Sequence, residues 1–217
     1  MRSAGKKHLL QFVLLAFFSV VASVTFTSSH AITKTVESLK IDTGLLVTGD
    51  IIFRKGISLV SRMVLLADGT SPYSHTGIIY RNGDSLLVIH SVPAENKDEN
   101  DIVKAETIEE FLLIDRAEAV AVYRLKEEFT EEKILTLSQF ILFHSSNSTP
   151  FDDSFDLEND EKLYCTELIW KAYLQAGIDL IDSKFDNLNL PIVKGDQILP
   201  GSILKSKYLK QLLTSTK

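Results

Sequence analysis

Three side chains in this sequence combine a nucleophile with two bases: Cys165, the only cysteine among 217 residues, and the histidines His75 and His90. Cys165 stands in Leu163-Tyr164-Cys165-Thr166-Glu167-Leu168-Ile169-Trp170, and the histidines stand in Ser74-His75-Thr76-Gly77 and Ile89-His90-Ser91. A thiolate attacks carbonyl carbon, an imidazole titrates near neutral pH and can take the thiol proton, and a third polar group can orient that imidazole. Together the three could carry out acyl transfer. Singly, each has a plainer reading: free cysteine behaves as a small buried hydrophobe, and a strand-end histidine can simply bond to backbone.

The elements that must position them are legible. The Cys165 segment reads as a helix start after a polar loop from Ser145 to Lys162, and Gly177 ends that helix. A helix start favours a thiolate through the aligned peptide dipoles, and its unpaired N–H groups can receive an oxyanion. The apolar runs His75–Tyr80 and Ser85–His90 are joined by Arg81-Asn82-Gly83-Asp84, and Asn-Gly between apolar runs signals a hairpin. His75 then opens one strand and His90 closes its partner. Gly77 lets another backbone or a substrate come close. In this reading the His75 imidazole faces a helix packed on the sheet, and His90 holds its far nitrogen.

The remaining segments alternate between strand and helix. Gly49-Asp50 marks a turn before the buried run Ile51-Ile52-Phe53, and Ile57 to Ala67 has helical spacing ending at Asp68-Gly69. Thr107-Ile108-Glu109-Glu110 resembles a capping box, Glu118–Leu125 alternates as a strand, and Thr130 caps a longer helix through about Phe143. His144 falls at the end of that helix, where the dipole favours it. Pro191 and Pro200 break the tail before a last amphipathic helix near Leu204–Leu212. With no repeat and no linker, residues 32–217 form one α+β domain.

Residues 1–31 are of a different kind. Arg2, Lys6 and Lys7 precede an uncharged run from Leu9 to Phe26, and Ser29-His30-Ala31 places small residues where a signal peptidase reads. This is the pattern of a secretory signal peptide, or of an N-terminal membrane anchor if uncleaved. It predicts an exported protein, periplasmic or secreted. Three of the 23 basic residues and none of the 29 acidic ones lie there, so the remainder carries a net charge of −9. An acidic domain without a basic cluster argues against nucleic acid and anionic membrane surfaces as partners. Membrane contact is then left to the N-terminal segment.

Two histidines and one cysteine could instead ligate zinc, but such sites use close ligand pairs, and no Cys-x-x-Cys or His-x-x-x-His occurs. The acidic stretch from Phe151 to Glu161 lacks the glycine and ligand alternation of an EF-hand. No metal or other cofactor is expected. Phe151 and Phe155 cannot both be at ease in water, which places them over the entrance to the Cys165 site. With Asp152 and Tyr164 they are the substrate-binding candidates.

Gly49-Asp50-Ile51-Ile52-Phe53, Ser74-His75-Thr76-Gly77-Ile78, Pro150-Phe151-Asp152 with Phe155, and Tyr164-Cys165-Thr166-Glu167-Leu168 together resemble the permuted papain-like amidases, the YiiX/YebB-like branch of the NlpC superfamily. The resemblance covers about Gly44 to Pro200. It implies a circularly permuted papain-like fold, in which an antiparallel sheet bearing the histidines packs on the helix bearing the cysteine. It also implies roles: Cys165 the nucleophile, His75 the base, His90 the third polar residue. Many relatives carry glutamate at that third place, and histidine there is more like the lecithin:retinol acyltransferase relatives. Phe151 stands where relatives often have tyrosine, which removes a hydroxyl.

The function expected is a cysteine hydrolase that cleaves an amide or ester acyl bond through a thioester, acting on cell-wall peptide or lipid without a cofactor. An acyltransferase on the same site is one alternative. A non-catalytic module binding peptidoglycan or lipid is another, although a pure binder needs no such trio. A caspase-like enzyme also has histidine before cysteine, but its Gln-Ala-Cys-x-Gly signature is absent.

Overall fold

The strands form where β-branched and large apolar residues run together, and the computed structural model describes them within residues 37–94, 100–159, 161–188 and 195–217. The readings for residues 1–31 and for Pro191 lie outside the described residues. In chain order the elements are β1 (Ile51–Gly56), α1 (Leu59–Asp68), β2 (His75–Asn82), β3 (Ser85–Val92), β4 (Ile102–Thr107), α2 (Ile108–Phe111) and β5 (Ala117–Leu125). There follow α3 (Glu131–Ser146), α4 (Cys165–Gln175), β6 (Asp186–Asn187), β7 (Asp196–Gln197), α5 (Pro200–Leu204) and β8 (Leu209–Thr216). Six strands make one sheet in the order β4-β3-β2-β1-β5-β8, and every neighbouring pair is antiparallel.

Both faces of the sheet are covered, which is why its central strands read as continuous apolar runs. Because successive side chains leave opposite faces, Ile51, Phe53, Ile78 and Ile89 pack against Leu137 and Ile141 of α3 and Leu168, Ile169 and Tyr173 of α4. Their chain neighbours Ile52, Ile79 and Val88 pack on the other side against Leu46, Phe111 and Leu112. The Cys165 helix and α2 therefore lie on opposite faces of the sheet.

The caps expected at Thr107 and Thr130 are present, their side chains accepting hydrogen bonds from first-turn N–H groups of α2 and α3, and Ser58 caps α1 in the same way. The Glu167 carboxylate reaches back to the N–H of Tyr164 at the start of α4. Asp50 fixes the entry to β1. Its carboxylate takes a two-pronged bond from Arg124 (Nε–Oδ1 and Nη2–Oδ2 both 2.7 Å) and another from the Val47 N–H. Tyr173 of α4 donates its hydroxyl proton to the Gly49 carbonyl, so the same turn is tied to the cysteine helix.

The β2–β3 ladder runs from Asn82↔Ser85 to Ile78↔Ile89 and stops. Toward His75 the two strands part, and the segment before α4 enters the fork, where Ser91 donates its hydroxyl proton to the Leu163 carbonyl. Gly77 sits at the closing of the fork: a Cβ there would lie 2.5 Å from Val88 Cγ1 and 3.1 Å from His90 Cβ.

Two expectations change. The last amphipathic helix near Leu204–Leu212 does not form: α5 ends at Leu204 and β8 begins at Leu209, paired with β5. A bulge at Val122/Tyr123 skips Leu212, and Leu212 and Leu213 both pack on the second core. That adjacent pair imitates helical spacing in the sequence. In addition β4 carries no strand signal strong enough to be read in advance, yet it forms the edge beside His90. No helix among the described residues is long and apolar enough to cross a membrane.

Candidate active site

Strand geometry brings the histidines together. His75 Nε2 lies 2.8 Å from His90 Nδ1, and both residues are buried. His90 Nε2 lies 3.1 Å from Glu106 Oε2, and Glu106 Oε1 meets Lys104 Nζ at 2.6 Å and Arg116 Nη1 at 3.1 Å. Glu106 pairs with Val88 across the β3–β4 ladder, one step diagonal from His90, so both project to the same face. Sequence reasoning missed Glu106. The available signal was the alternating pair Lys104 and Glu106 in a short run after the His90 strand.

The charge states follow. Burial works to raise the Glu106 pKa, but hydrogen bonds from His90 and Lys104 outweigh it and hold the carboxyl well below the usual range. An ionised Glu106 only accepts, so His90 Nε2 carries a proton and donates it. His90 Nδ1 is then the acceptor for the Nε2 proton of His75, an assignment made from the hydrogen-bond network. This leaves Nδ1 of His75 as the basic nitrogen. Burial, followed by the Arg54 guanidinium and by His90, holds the His75 pKa well below its ordinary value, so the ring is neutral at pH 7. Burial also lowers His90, against the opposing pull of Glu106.

His90 meets His75 as expected, but the His75 imidazole does not face α4, contrary to the expectation from sequence. Both imidazoles pack on Phe111, with ring centroids 5.7 Å away for His75 and 5.1 Å for His90. Arg54 stands over the same ring at 4.7 Å and donates to the Phe111 carbonyl at 3.0 Å. Alternation is the reason: Ile78 is committed to the α4 side, so His75, Gly77 and Ile79 leave by the other.

Cys165 occupies the first turn of α4, partly buried, in the fork between β2 and β3. Its thiol pKa is pushed up to about 11 by burial, against backbone hydrogen bonds from Thr76, Thr166 and Cys165 itself. Thr76 directly follows His75, so the strand that carries His75 also holds the sulfur through its main chain. Among the described residues no hydrogen bond joins the sulfur to the His75 ring. The helix start supplies the expected donors, but burial outweighs them and the thiol is protonated at pH 7.

Cys165 opens onto a cavity of about 230 Å³. Its walls are Val60, Met63, Val64 and Ala67 of α1, the rings of Phe155 and Tyr164, and the segment Ile198–Pro200. Phe155 has a left-handed backbone (φ 56°), unusual for a bulky side chain. The buried Asp152 carboxylate accepts from the N–H groups of Ser154 (3.0 Å) and Asp156 (2.6 Å), the two residues that flank Phe155. Asp152 therefore shapes the wall rather than lining it. Phe151 stands behind Phe155 at 6.1 Å and faces a separate surface depression. His144 lies apart, bonded to Thr149.

One solved structure of similar fold is described as the metalloprotein yiiX from Escherichia coli O157:H7. It aligns with a TM-score of 0.65 and 23% identity, over 78% of this chain and 98% of that one. Among the described residues here, no three His, Cys, Asp or Glu side chains converge as a metal would require. Nε2 of His75 and both nitrogens of His90 are occupied by hydrogen bonds at 2.8 and 3.1 Å, leaving only Nδ1 of His75 to donate. The described residues do not fit a metal centre.

Among curated proteins, the uncharacterized protein YiiX of Escherichia coli strain K12 is 29% identical over 129 residues, 59% of this chain and 58% of that protein. The chain thus matches somewhat over half the length of that relative. The family match is broader: the permuted papain-like amidase enzymes, YaeF/YiiX, C92 family, match residues 46–212. A six-stranded antiparallel sheet, histidines on its central hairpin and a later helix headed by the lone cysteine are the permuted papain-like arrangement, and the chain belongs to that family of cysteine amidases.

Proposed function

We propose that the protein is a cysteine hydrolase that cleaves an amide or ester acyl bond through a thioester on Cys165. The observation that carries this reading is the directed chain from Glu106 through His90 to His75, which leaves His75 Nδ1 basic one residue away from the backbone that holds the sulfur. His75 accepts the Cys165 proton, and the sulfur attacks the carbonyl carbon. The tetrahedral intermediate collapses, expelling an amine or alcohol that leaves with the proton from His75. Water then attacks the thioester, with His75 again taking a proton, to give a carboxylic acid and the free thiol. N–H groups at the start of α4 are donors for the intermediate's oxyanion.

The ring and the sulfur are unbonded in this structure, so proton transfer needs either a bridging water or movement of His75 where β2 and β3 part. Candidate catalytic contacts commonly tighten only with substrate bound. The N-terminal pattern supports action outside the cytoplasm.

The test is intact-protein mass spectrometry after brief exposure to p-nitrophenyl acetate. An acetyl adduct on Cys165, lost in Cys165→Ala and slow to form in His75→Ala, is expected. Turnover that survives Cys165→Ala overturns the reading.

A further inference from the structure

One row of side chains crosses four adjacent strands on the face of the sheet away from α4. Arg54 is the cross-strand partner of His75 in the β1–β2 ladder, so along the strand order β4-β3-β2-β1 the row runs Glu106, His90, His75, Arg54. A carboxylate closes one end and a guanidinium the other, and the two imidazoles between them touch at 2.8 Å. Arg54 is buried, with 2% of its surface exposed. Its Nη1 donates at 3.0 Å to the Phe111 carbonyl, the last of α2, which fixes it against the ring on which both imidazoles rest. The other cations of this face gather at the opposite end, Lys104 and Arg116 lying 2.6 and 3.1 Å from the Glu106 carboxylate. Cys165 approaches from the α4 side through the Thr76 backbone.

We infer that Arg54 is a positioning residue for proton transfer: the positive charge formed when Cys165 is deprotonated settles on His90, beside Glu106, and not on His75, beside Arg54. This role rests on the thioester chemistry proposed above. The thiol proton binds Nδ1 of His75, the Nε2 proton of His75 passes to Nδ1 of His90, and His90 keeps the proton it donates to Glu106. One proton enters the pair, one crosses it, and a single positive charge is left where a carboxylate balances it. Held on His75, the same charge would face the Arg54 guanidinium directly, with a neutral ring between it and Glu106. Removal from water makes both the attraction and the repulsion count. The resting rings already lean this way. Burial lowers both, Arg54 lowers both further, and Glu106 pulls His90 back up.

The experiment uses two readouts. The first is imidazole nitrogen NMR of isotope-labelled Cys165→Ala during acid titration. As the pair takes up its first proton, His75 is expected to exchange a proton on Nε2 for one on Nδ1 and stay neutral, while both nitrogens of His90 become protonated. An imidazolium on His75 overturns the assignment, and this titration needs no Arg54 variant. The second is the pH profile of kcat/KM for p-nitrophenyl acetate. In Arg54→Met the acid limb is expected about one unit higher, roughly tenfold less activity at a fixed pH on that limb. Arg54→Lys keeps the charge and should keep the limb, with a lower kcat. A structural role alone would lower activity in both variants and move neither limb, which overturns the assignment. The expected titration without any acylation of the wild-type protein sinks the hydrolase reading and leaves the proton path standing. Acylation with the charge on His75 does the reverse.

Discussion

The Nε2 atom of His90 lies 3.1 Å from Oε2 of Glu106, and this contact decides which nitrogen of His75 is free. Glu106 is therefore a positioning residue, acting through His90. Glu106→Ala is expected to lower kcat about 10²-fold with little change in KM, the scale of a general base losing its support. Because Glu106 raises the His90 pKa, its loss should also move the acid limb of the kcat/KM profile to lower pH. A purely structural role would reduce activity without moving that limb. Glu106→Gln, which can still accept a hydrogen bond, should recover part of kcat.

The thiol of Cys165 is held protonated, its pKa pushed up to about 11 by burial. Roughly one molecule in 10⁴ is thiolate at pH 7 by that value. Alkylation by iodoacetamide should accordingly rise with pH well past 8.5, the midpoint of an ordinary thiol. A labelling midpoint at or below 8.5 contradicts the burial argument and restores the helix dipole as the dominant influence.

Glu167 supplies a pH-dependent term in stability. Burial raises its pKa to about 7, against the pull of Lys171, whose Nζ lies 2.9 Å from Oε1. A carboxyl whose folded pKa exceeds its unfolded one adds stability that is complete below the unfolded value near 4.5. That stability is lost as pH rises through the folded value. Denaturant unfolding of the wild type should thus weaken by about 1–3 kcal/mol between those two pH values. Glu167→Gln should flatten that slope. An unchanged slope would mean that Glu167 does not titrate there.

Asp50 holds Arg124, the Val47 N–H and the entry to β1, with 1% of its surface exposed. Removing one partner of a buried ion pair leaves the other uncompensated, and Arg124 is partly open to water, which softens the loss. Asp50→Ala is expected to cost about 2–4 kcal/mol, read from urea midpoints at constant slope.

The parts legible in sequence were those set by local chemistry. Asn82-Gly83 announced the hairpin, Thr107 and Thr130 announced helix starts, and the polar loop before Cys165 announced that its helix begins there. What escaped depends on partners distant along the chain. Leu209–Thr216 became a strand because β5 offers it an edge, and the bulge in β8 at Leu212 lets Leu212 and Leu213 face inward together. Glu106 became the terminus of the histidine chain only through the β3–β4 register. The direction of the His75 ring turned on which face Ile78 was already committed to, and the hairpin signal alone does not say.

The fork between β2 and β3 has a spectroscopic consequence. The backbone of Thr76 hydrogen-bonds the Cys165 sulfur in the fork, instead of completing the ladder with β3. Converting that sulfur to a thioester weakens the acceptor without touching the strand. The Thr76 amide resonance is therefore a built-in indicator of the sulfur's chemical state. Its shift and its hydrogen-exchange rate should follow acylation and deacylation in real time, with no label attached to enzyme or substrate.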